Sequence, residues 1–205
     1  FDRLAKGEPL NVLVATSGDT GGAVGWAAGN RSAVRAIILF PHGRVTPFQG
    51  RQLTCWGDNV QALDVDGDFD DCQLLVKAAL ADAEMASEHR LTSANSINFG
   101  RLLPQLAYAP RAVLQVFAGS GVEPGVIVPS GNLGHGFSVL LAKAMGLPVG
   151  PVVLATNANR TLKDWRDTGK YAARPSLETL ASAMDVGNPS NFERVVALST
   201  EPADV

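Results

Sequence analysis

Short apolar runs alternate with helical patterns through most of the chain. The runs are rich in Val, Ile and Leu, and they cover residues 12–15, 36–40, 60–65, 126–128 and 152–155. Nearly continuous apolar runs are typical of strands that are buried on both faces, because helices cover each side of a parallel sheet. The pattern therefore predicts an α/β fold with mostly parallel sheets covered by helices.

The clearest helical pattern covers residues 68–87. Its apolar positions recur at the spacing of one helix face, and they are Cys72, Leu75, Val76, Ala79, Leu80 and Ala83. Asp68 is the expected N-cap, because its carboxylate can accept hydrogen bonds from backbone N–H groups of the first turn.

A second long helix is predicted from about Phe99 onward, with Asn98 or Ser96 as its cap. Pro110 is expected to kink or end this helix, because proline lacks a backbone donor and collides with the preceding turn. A shorter helix is predicted after Asn191, near the end of the chain.

Two of the strands run into glycine-rich turns that lead into helices. The first turn covers residues 16–21, Thr-Ser-Gly-Asp-Thr-Gly, and the second turn covers residues 130–134, Ser-Gly-Asn-Leu-Gly. Such a turn directs unpaired backbone N–H groups towards one point at the positive end of a helix dipole, which favours an anion such as phosphate. Two such turns on one α/β sheet predict a phosphorylated cofactor and an anionic substrate.

The same residues also have purely structural interpretations. The first turn is equally an ordinary strand-to-helix connection with Asp19 or Thr20 as N-cap. Arg101 could pair with an anion and His135 could contact a ligand, but an ordinary surface position on a helix is the simpler explanation for both. Neither turn carries the Gly-Lys-Ser/Thr of a Walker A loop or the G-x-G-x-x-G of a dinucleotide fingerprint, so NAD is disfavoured and the identity of the anion stays open.

Composition narrows the classes of function. The 205 residues are 46% hydrophobic and 18% charged, and their net charge of -3 gives no basic excess for nucleic acid. No apolar stretch approaches the roughly 20 residues that cross a bilayer. The cysteines and histidines show no metal-ligand spacing and no disulfide framework. We therefore expect a cytoplasmic protein with a small-molecule partner, no metal, no nucleic acid and no membrane, as either a monomer or a dimer.

The chain is expected to divide into three parts. Residues 1–43 are predicted to form part of a first α/β lobe, and residues 97–205 a second one. Residues 44–96 are expected to form a smaller lobe, because they follow the loop Pro41-His42-Gly43.

Seven separate motifs carry a resemblance to a known family. They are residues 15–21 (ATSGDTG), 64–70 (DVDGDFD), 95–98 (NSIN), 101–105 (RLLPQ), 129–134 (PSGNLG), 155–157 (ATN) and 183–191 (AMDVGNPSN). In this order and spacing, the chain resembles threonine synthases over nearly all of its length. These are pyridoxal-phosphate enzymes of fold type II, with a fold like that of the tryptophan synthase β chain.

The resemblance implies a reaction, a cofactor and a set of site residues. Threonine synthases convert O-phospho-L-homoserine and water into L-threonine and phosphate with pyridoxal 5'-phosphate, as carbon–oxygen lyases. Cofactor-binding residues implied by the resemblance are Ser130, Gly131, Asn132, Leu133, Gly134 and Asp19. Substrate-binding residues implied by it are Thr16, Ser17, Gly18 and Thr20 for the carboxylate, and Asn98 and Arg101 for the phosphate.

The resemblance also implies a residue that this chain lacks. The family forms a Schiff base through a lysine in a Phe-Lys-Asp motif upstream of the first turn, and no such motif occurs here. Lys6 lies only ten positions before Thr16, in a polar loop, and is not expected to replace that lysine. We therefore expect an internal fragment that is incomplete at both ends, with no catalytic residue of its own and the lysine upstream of Phe1.

Two alternative functions remain. One is another fold type II lyase, such as a serine/threonine dehydratase, against which segments 64–70 and 96–105 argue. The other is a non-catalytic homologue that binds a phosphorylated ligand, which the missing lysine permits.

Overall fold

The computed structural model describes residue 7 and residues 9–198 of the chain. Lys6, considered above, lies outside the described residues. The chain divides between Asn95 and Ser96 into two compact units. Each unit contains a parallel sheet and helices, which confirms the α/β class.

The first unit has a four-stranded parallel sheet in the order β3-β2-β1-β4. Its strands are β1 (Leu10–Ala15), β2 (Val34–Pro41), β3 (Val60–Val65) and β4 (Leu91–Ser93). Its helices are α1 (Asp19–Ala28), α2 (Pro47–Thr54), α3 (Phe69–Ala81) and α4 (Ala83–Glu88). The strand β4 was absent from the prediction, because three residues are too few to show a pattern.

Residues 44–96, predicted as a smaller lobe, lie almost entirely within this first unit. They contribute β3 and β4, which hydrogen-bond to β2 and β1 of the same sheet. Val14, Ile38 and Leu53, all almost completely buried, form the centre of the core. The side chain of Asn95 fixes the end of β1, because it accepts a hydrogen bond from Ala15 N at 2.8 Å and donates one to Ala15 O at 2.7 Å.

The helix predicted for residues 68–87 is two helices, α3 and α4. Asp68 caps α3 as expected, and Asp82 ends it and caps α4 by accepting a hydrogen bond from Met85 N at 3.0 Å. The buried face of α3 is rotated from the predicted stripe, because Gln73 is buried whereas Leu75 is 51% exposed. An Asp side chain competes for backbone N–H groups, which explains the break.

The second unit contains a two-stranded parallel sheet of β5 (Val126–Pro129) and β6 (Val152–Ala155). Its helices are α5 (Leu103–Ser120), α6 (Gly134–Ala144), α7 (Thr161–Thr168) and α8 (Phe192–Leu198). Short 3₁₀ turns occupy Phe99–Arg101 and Ser182–Met184. One core cluster packs Leu133, Phe137, Trp165 and Val195 around the start of α6.

Pro110 does not end the second predicted helix. Helix α5 runs through it, and Pro110 lies buried inside the helix. The helix ends instead at Gly121, whose φ of 69° lets its N–H reach Phe117 O at 2.7 Å. Among the described residues, no helix combines the length and apolar character needed to cross a bilayer.

Two glycine substitutions in the first unit should have opposite effects on stability. A Cβ on Gly21 would lie 2.5 Å from Leu53 and 2.8 Å from Ile38, both fully packed, so Gly21→Ala should lower the free energy of unfolding by about 1–3 kcal/mol. Gly50 in α2 has open space around such a Cβ, so Gly50→Ala should raise it by about 0.5–1 kcal/mol. Chemical denaturation of the full-length protein measures both changes, and a stabilised Gly21→Ala variant would contradict the packing.

Candidate anion-binding sites

The first turn connects β1 to α1. The buried hydroxyl of Thr16 accepts hydrogen bonds from Gly18 N and Gly21 N, each at 2.9 Å. Gly18 adopts a φ of 130°, which residues other than glycine rarely adopt. Thr16 therefore holds the shape of the turn, while Ser17 remains half-buried at its tip.

Helix α1 begins at Asp19, and Gly18 is its N-cap, without a side-chain cap. The structural interpretation with Asp19 or Thr20 as N-cap is therefore wrong. Asp19 is exposed and accepts a hydrogen bond from Gln49 Nε2 at 2.9 Å, and Gln49 belongs to the capping box of α2. The residues proposed from the resemblance for a carboxylate, Thr16, Ser17, Gly18 and Thr20, all lie in this unit.

The second turn connects β5 to α6. Ser130 anchors its start, because its N–H donates to Ala155 O at 2.8 Å and its hydroxyl donates to Val128 O at 2.9 Å. Leu133 has a φ of 62°, which turns the chain into the helix, and its side chain is buried in the core. The two turns belong to different sheets, so the expectation of a single sheet carrying both is wrong.

The backbone N–H groups of residues 131–136 are the feature of the second turn that suits an anion. Within the described part of the chain, none of them donates a hydrogen bond to a backbone or side-chain acceptor. They sit at the N-terminus of an 11-residue helix, where the dipole adds a positive potential. Unpaired donors at such a position favour a phosphate or carboxylate.

A buried loop supports the second turn from behind. A Cβ on Gly131 would lie 3.0 Å from Met184 Cα and 3.2 Å from Val186 Cγ2, so only glycine fits without displacing this loop. The loop is held in turn by Asp185, which accepts hydrogen bonds from Asn157 Nδ2 at 2.7 Å and from Thr179 N at 2.8 Å.

The segment 96–101 lies beside the second turn. A Cβ on Gly134 would approach Ser96 Cβ to 2.9 Å, so the side chain of Ser96 packs directly against the backbone of Gly134. Asn98 caps the 3₁₀ turn by accepting a hydrogen bond from Gly100 N at 2.9 Å. It does not cap the long helix as predicted, because α5 begins only at Leu103 and has no side-chain cap. Arg101 is the last residue of that turn, and burial lowers the pKa of its guanidinium.

His135 follows the second turn directly. Its Nε2 is buried and has no hydrogen-bond partner among the described residues. The ring packs edge-on against Tyr108, with ring centroids 5.5 Å apart. Burial lowers the pKa of His135 below its ordinary value of 6.5, so the neutral form is favoured.

Two residues at this site were given no role by the sequence. Asn191 and Arg194 of the last helical segment reach the second turn and the 96–97 backbone through hydrogen bonds of 2.7–2.8 Å. Asn191 falls in the last of the seven motifs, which was the available signal. In the described part of the chain, no three His, Cys, Asp or Glu side chains are grouped to hold a metal ion.

A sequence profile of the family described as pyridoxal-phosphate dependent enzyme matches residues 1–204. The threonine synthase of Serratia marcescens is 43% identical over 95% of this chain, and that of Escherichia coli (strain K12) is 42% identical over the same share. The chain spans 46% of each relative, so it covers about half their length.

Solved structures give the same picture. Threonine synthase from Escherichia coli aligns with a TM-score of 0.84 at 41% identity, over 93% of this chain and 45% of that one. A threonine synthase from Brucella melitensis, solved with PLP bound, aligns with a TM-score of 0.76 at 42% identity, over 93% of this chain and 41% of that one. Maize serine racemase, at 18% identity and a TM-score of 0.67, shares the fold.

Acid should destabilise the protein through His135. Above pH 6.5 the imidazole is neutral in both the folded and unfolded states, but below it the unfolded chain takes up a proton that the buried ring resists. Stability should therefore fall as the pH drops from 6.5 towards the lowered folded pKa, and His135→Gln should reduce that fall. Urea titrations between pH 7.5 and 5 measure it.

His42 is the matched control for this experiment. Its exposed ring is hydrogen-bonded to Asp64 at 2.8 Å, which raises its pKa, so its contribution is present at low pH and disappears as the pH rises through the folded pKa. His42→Gln should therefore leave the acid-induced loss undiminished. An acid sensitivity that is identical in wild type and His135→Gln would contradict a buried neutral imidazole.

Proposed function

Because the chain belongs to the family of pyridoxal-phosphate-dependent enzymes, we propose that the protein is a threonine synthase, converting O-phospho-L-homoserine and water into L-threonine and phosphate. The observation that carries the proposal is identity of 37–43% to threonine synthases across 92–96% of the chain. The second unit adds a site with two adjacent segments suited to phosphate, and the proposed reaction has one phosphate on the cofactor and one on the substrate.

The second turn fits the phosphate of pyridoxal phosphate. Residues 131–136 offer unpaired N–H groups at a helix N-terminus, and the glycines at 131 and 134 let the turn pack closely against the loop of Met184 and against Ser96. When bound, the cofactor supplies an electron sink for carbanions next to the amino group. The chain's own contribution here is to hold that phosphate, with Ser130 and Asn132 fixing the turn.

Asp19 and the first turn are proposed to act in the first unit. We infer that Asp19, which is exposed and oriented by Gln49, contacts the cofactor's ring hydroxyl. The substrate carboxylate is assigned to Ser17, Thr20 and the N–H groups of the turn. The hydroxyl oxygen of Thr16 accepts hydrogen bonds from the backbone N–H groups of Gly18 and Gly21, and it thereby keeps the turn and the start of α1 in place.

Asn98 and Arg101 are proposed to bind the phosphate of the substrate. Burial of the Arg101 guanidinium lowers its pKa, and a bound dianion would offset that desolvation. A guanidinium also binds two phosphate oxygens through parallel hydrogen bonds, which stabilises the leaving group as its charge develops.

The alternatives differ in what they predict. A serine/threonine dehydratase has no phosphate to bind in its substrate, whereas segment 96–101 carries a half-buried arginine beside the second turn. A non-catalytic homologue would bind the cofactor without turnover. Release of inorganic phosphate and threonine from phosphohomoserine by the full-length protein distinguishes all three, and turnover of L-threonine to a keto acid alone would favour the dehydratase.

We place the reaction in the cytoplasm, in keeping with the free thiols of Cys55 and Cys72.

Gly131→Ala should weaken cofactor binding in the full-length protein by about 1–3 kcal/mol, because the added Cβ pushes the turn against Met184 and Val186 and displaces its N–H groups. The substitution should also lower the stability of the protein, so a control is needed that lowers stability without touching the turn. Gly150→Ala provides it, since its Cβ would lie 2.7 Å from Glu123 O, away from the turn residues. Absorbance titration with pyridoxal phosphate should show weakened binding only for Gly131→Ala, and equal affinities would refute the assignment.

Arg101→Ala should leave the cofactor affinity unchanged and lower kcat/KM for phosphohomoserine. The decrease should correspond to about 1.5–3 kcal/mol of lost transition-state stabilisation, the range for a charge-assisted hydrogen bond. The exposed Arg111 of α5 is a matched control, and Arg111→Ala should change neither quantity. Steady-state kinetics at saturating cofactor measure the difference. A variant that loses cofactor but keeps normal substrate kinetics when saturated would show that the roles are exchanged.

A further inference from the structure

Asn191 and Arg194 join the two phosphate-competent segments of the second unit. Arg194 donates from Nη1 to Ser96 O and from Nη2 to Ile97 O, each at 2.7 Å. Its Nη1 also donates to Asn191 Oδ1 at 2.7 Å. Asn191 is completely buried, and its Nδ2 donates to Ser96 Oγ and to Asn132 O, each at 2.8 Å. We call these two residues the clamp.

The clamp orients the backbone that precedes Asn98. A peptide unit is planar, with its C=O and N–H pointing in opposite directions. Because Arg194 draws the carbonyls of Ser96 and Ile97 towards itself, the N–H groups of Ile97 and Asn98 point away from it. Two carbonyl dipoles that would repel an anion are thereby turned towards a cation.

The clamp also holds the second turn. Asn132 O accepts from Asn191, while Asn132 Oδ1 accepts from Ser190 N at 2.8 Å and from Ser190 Oγ at 2.9 Å. These bonds fix both the backbone and the side chain of Asn132, in the middle of the turn. A buried network in which each member is satisfied rigidifies its surroundings.

We propose that Asn191 and Arg194 are positioning residues that set the spacing between the cofactor-phosphate turn and the substrate-phosphate segment. This inference rests on the proposed function. Arg194 acts mainly on segment 96–101, whereas Asn191 acts on both segments, because it alone contacts Ser96 and Asn132 together. Neither residue needs to touch a ligand.

The geometry requires arginine at position 194. Its planar guanidinium donates three hydrogen bonds in two directions. Two bonds go to the adjacent carbonyls of Ser96 and Ile97, and the third goes to the side chain of Asn191. Lysine keeps the charge but is a point donor without the fixed fork, so it does not reproduce this arrangement. Arg194→Lys therefore tests the geometry, and Arg194→Met tests the whole interaction.

The experiment uses the full-length protein loaded with pyridoxal phosphate. Calorimetry gives the affinity for inorganic phosphate, absorbance titration gives the affinity for the cofactor, and kinetics give KM and kcat for phosphohomoserine. Arg194→Met should weaken phosphate binding and raise KM about tenfold or more, with a smaller change in cofactor affinity. Compared with Arg194→Met, Arg194→Lys should regain the thermal stability of the wild type. It should regain less than half of the lost phosphate affinity, measured as the logarithm of the dissociation constant.

The remaining variants sharpen the test. Asn191→Ala should weaken both phosphate and cofactor, and the exposed Arg111→Met should change neither. If Arg194→Met does not fold, Arg194→Lys alone decides the result. A folded Arg194 variant with the phosphate affinity and KM of the wild type would overturn the proposal. An Arg194 variant that loses affinity for phosphate and for the cofactor by the same factor would overturn it too. A wild-type protein that binds phosphate but forms no threonine would reject the proposed function and leave the clamp to be judged by the binding data.

Discussion

The unpaired N–H groups of residues 131–136 are the feature on which the proposed chemistry depends. A row of donors without acceptors is costly when it is shielded from water, so the fold must either pair them or present them to a ligand. This chain presents them at the start of α6, where a helix dipole adds to their attraction for an anion. Everything packed around the turn keeps these donors in one arrangement.

Three layers of contacts maintain that arrangement. Ser130 ties the turn to the ends of β5 and β6. Leu133 inserts into the core beneath α6, and the loop carrying Met184 closes the space behind Gly131. Asn191 and Arg194 then join the turn to segment 96–101. The site is therefore a product of packing from several parts of the second unit, and a small displacement at any of them would move the donors.

Local pattern was sufficient for much of the fold. The five predicted strands exist and pair in parallel. Burial on both faces describes the end of β1, whereas β3, β5 and β6 each have exposed positions, so the apolar runs predicted the strands better than their burial. Asp68 caps α3 as expected, since capping depends on neighbouring residues, whereas Asn98 caps a 3₁₀ turn that precedes α5 and not the long helix itself. The short strand β4 was not predicted, because only its pairing with β1 defines it. An end of the helix at Pro110 was also wrong, since α5 continues through this buried proline despite its local cost.

Some features of the site could likewise be predicted from local sequence, whereas others depend on contacts between residues far apart in the chain. Its turns follow from glycine spacing, and the resemblance supplies roles for their residues. Arg194 could not be assigned from pattern, because its partner Ser96 lies 98 residues away and is contacted through its backbone carbonyl. The rotated face of α3, with Gln73 inward and Leu75 outward, likewise depends on packing that the periodicity does not contain.

The most direct test of the account is a crystal structure of the full-length protein with pyridoxal phosphate and inorganic phosphate bound. The cofactor phosphate should accept hydrogen bonds from the backbone of residues 131–136, and the inorganic phosphate should lie against Asn98 and Arg101. A cofactor phosphate held by Arg101, or one without a contact to the second turn, would contradict it.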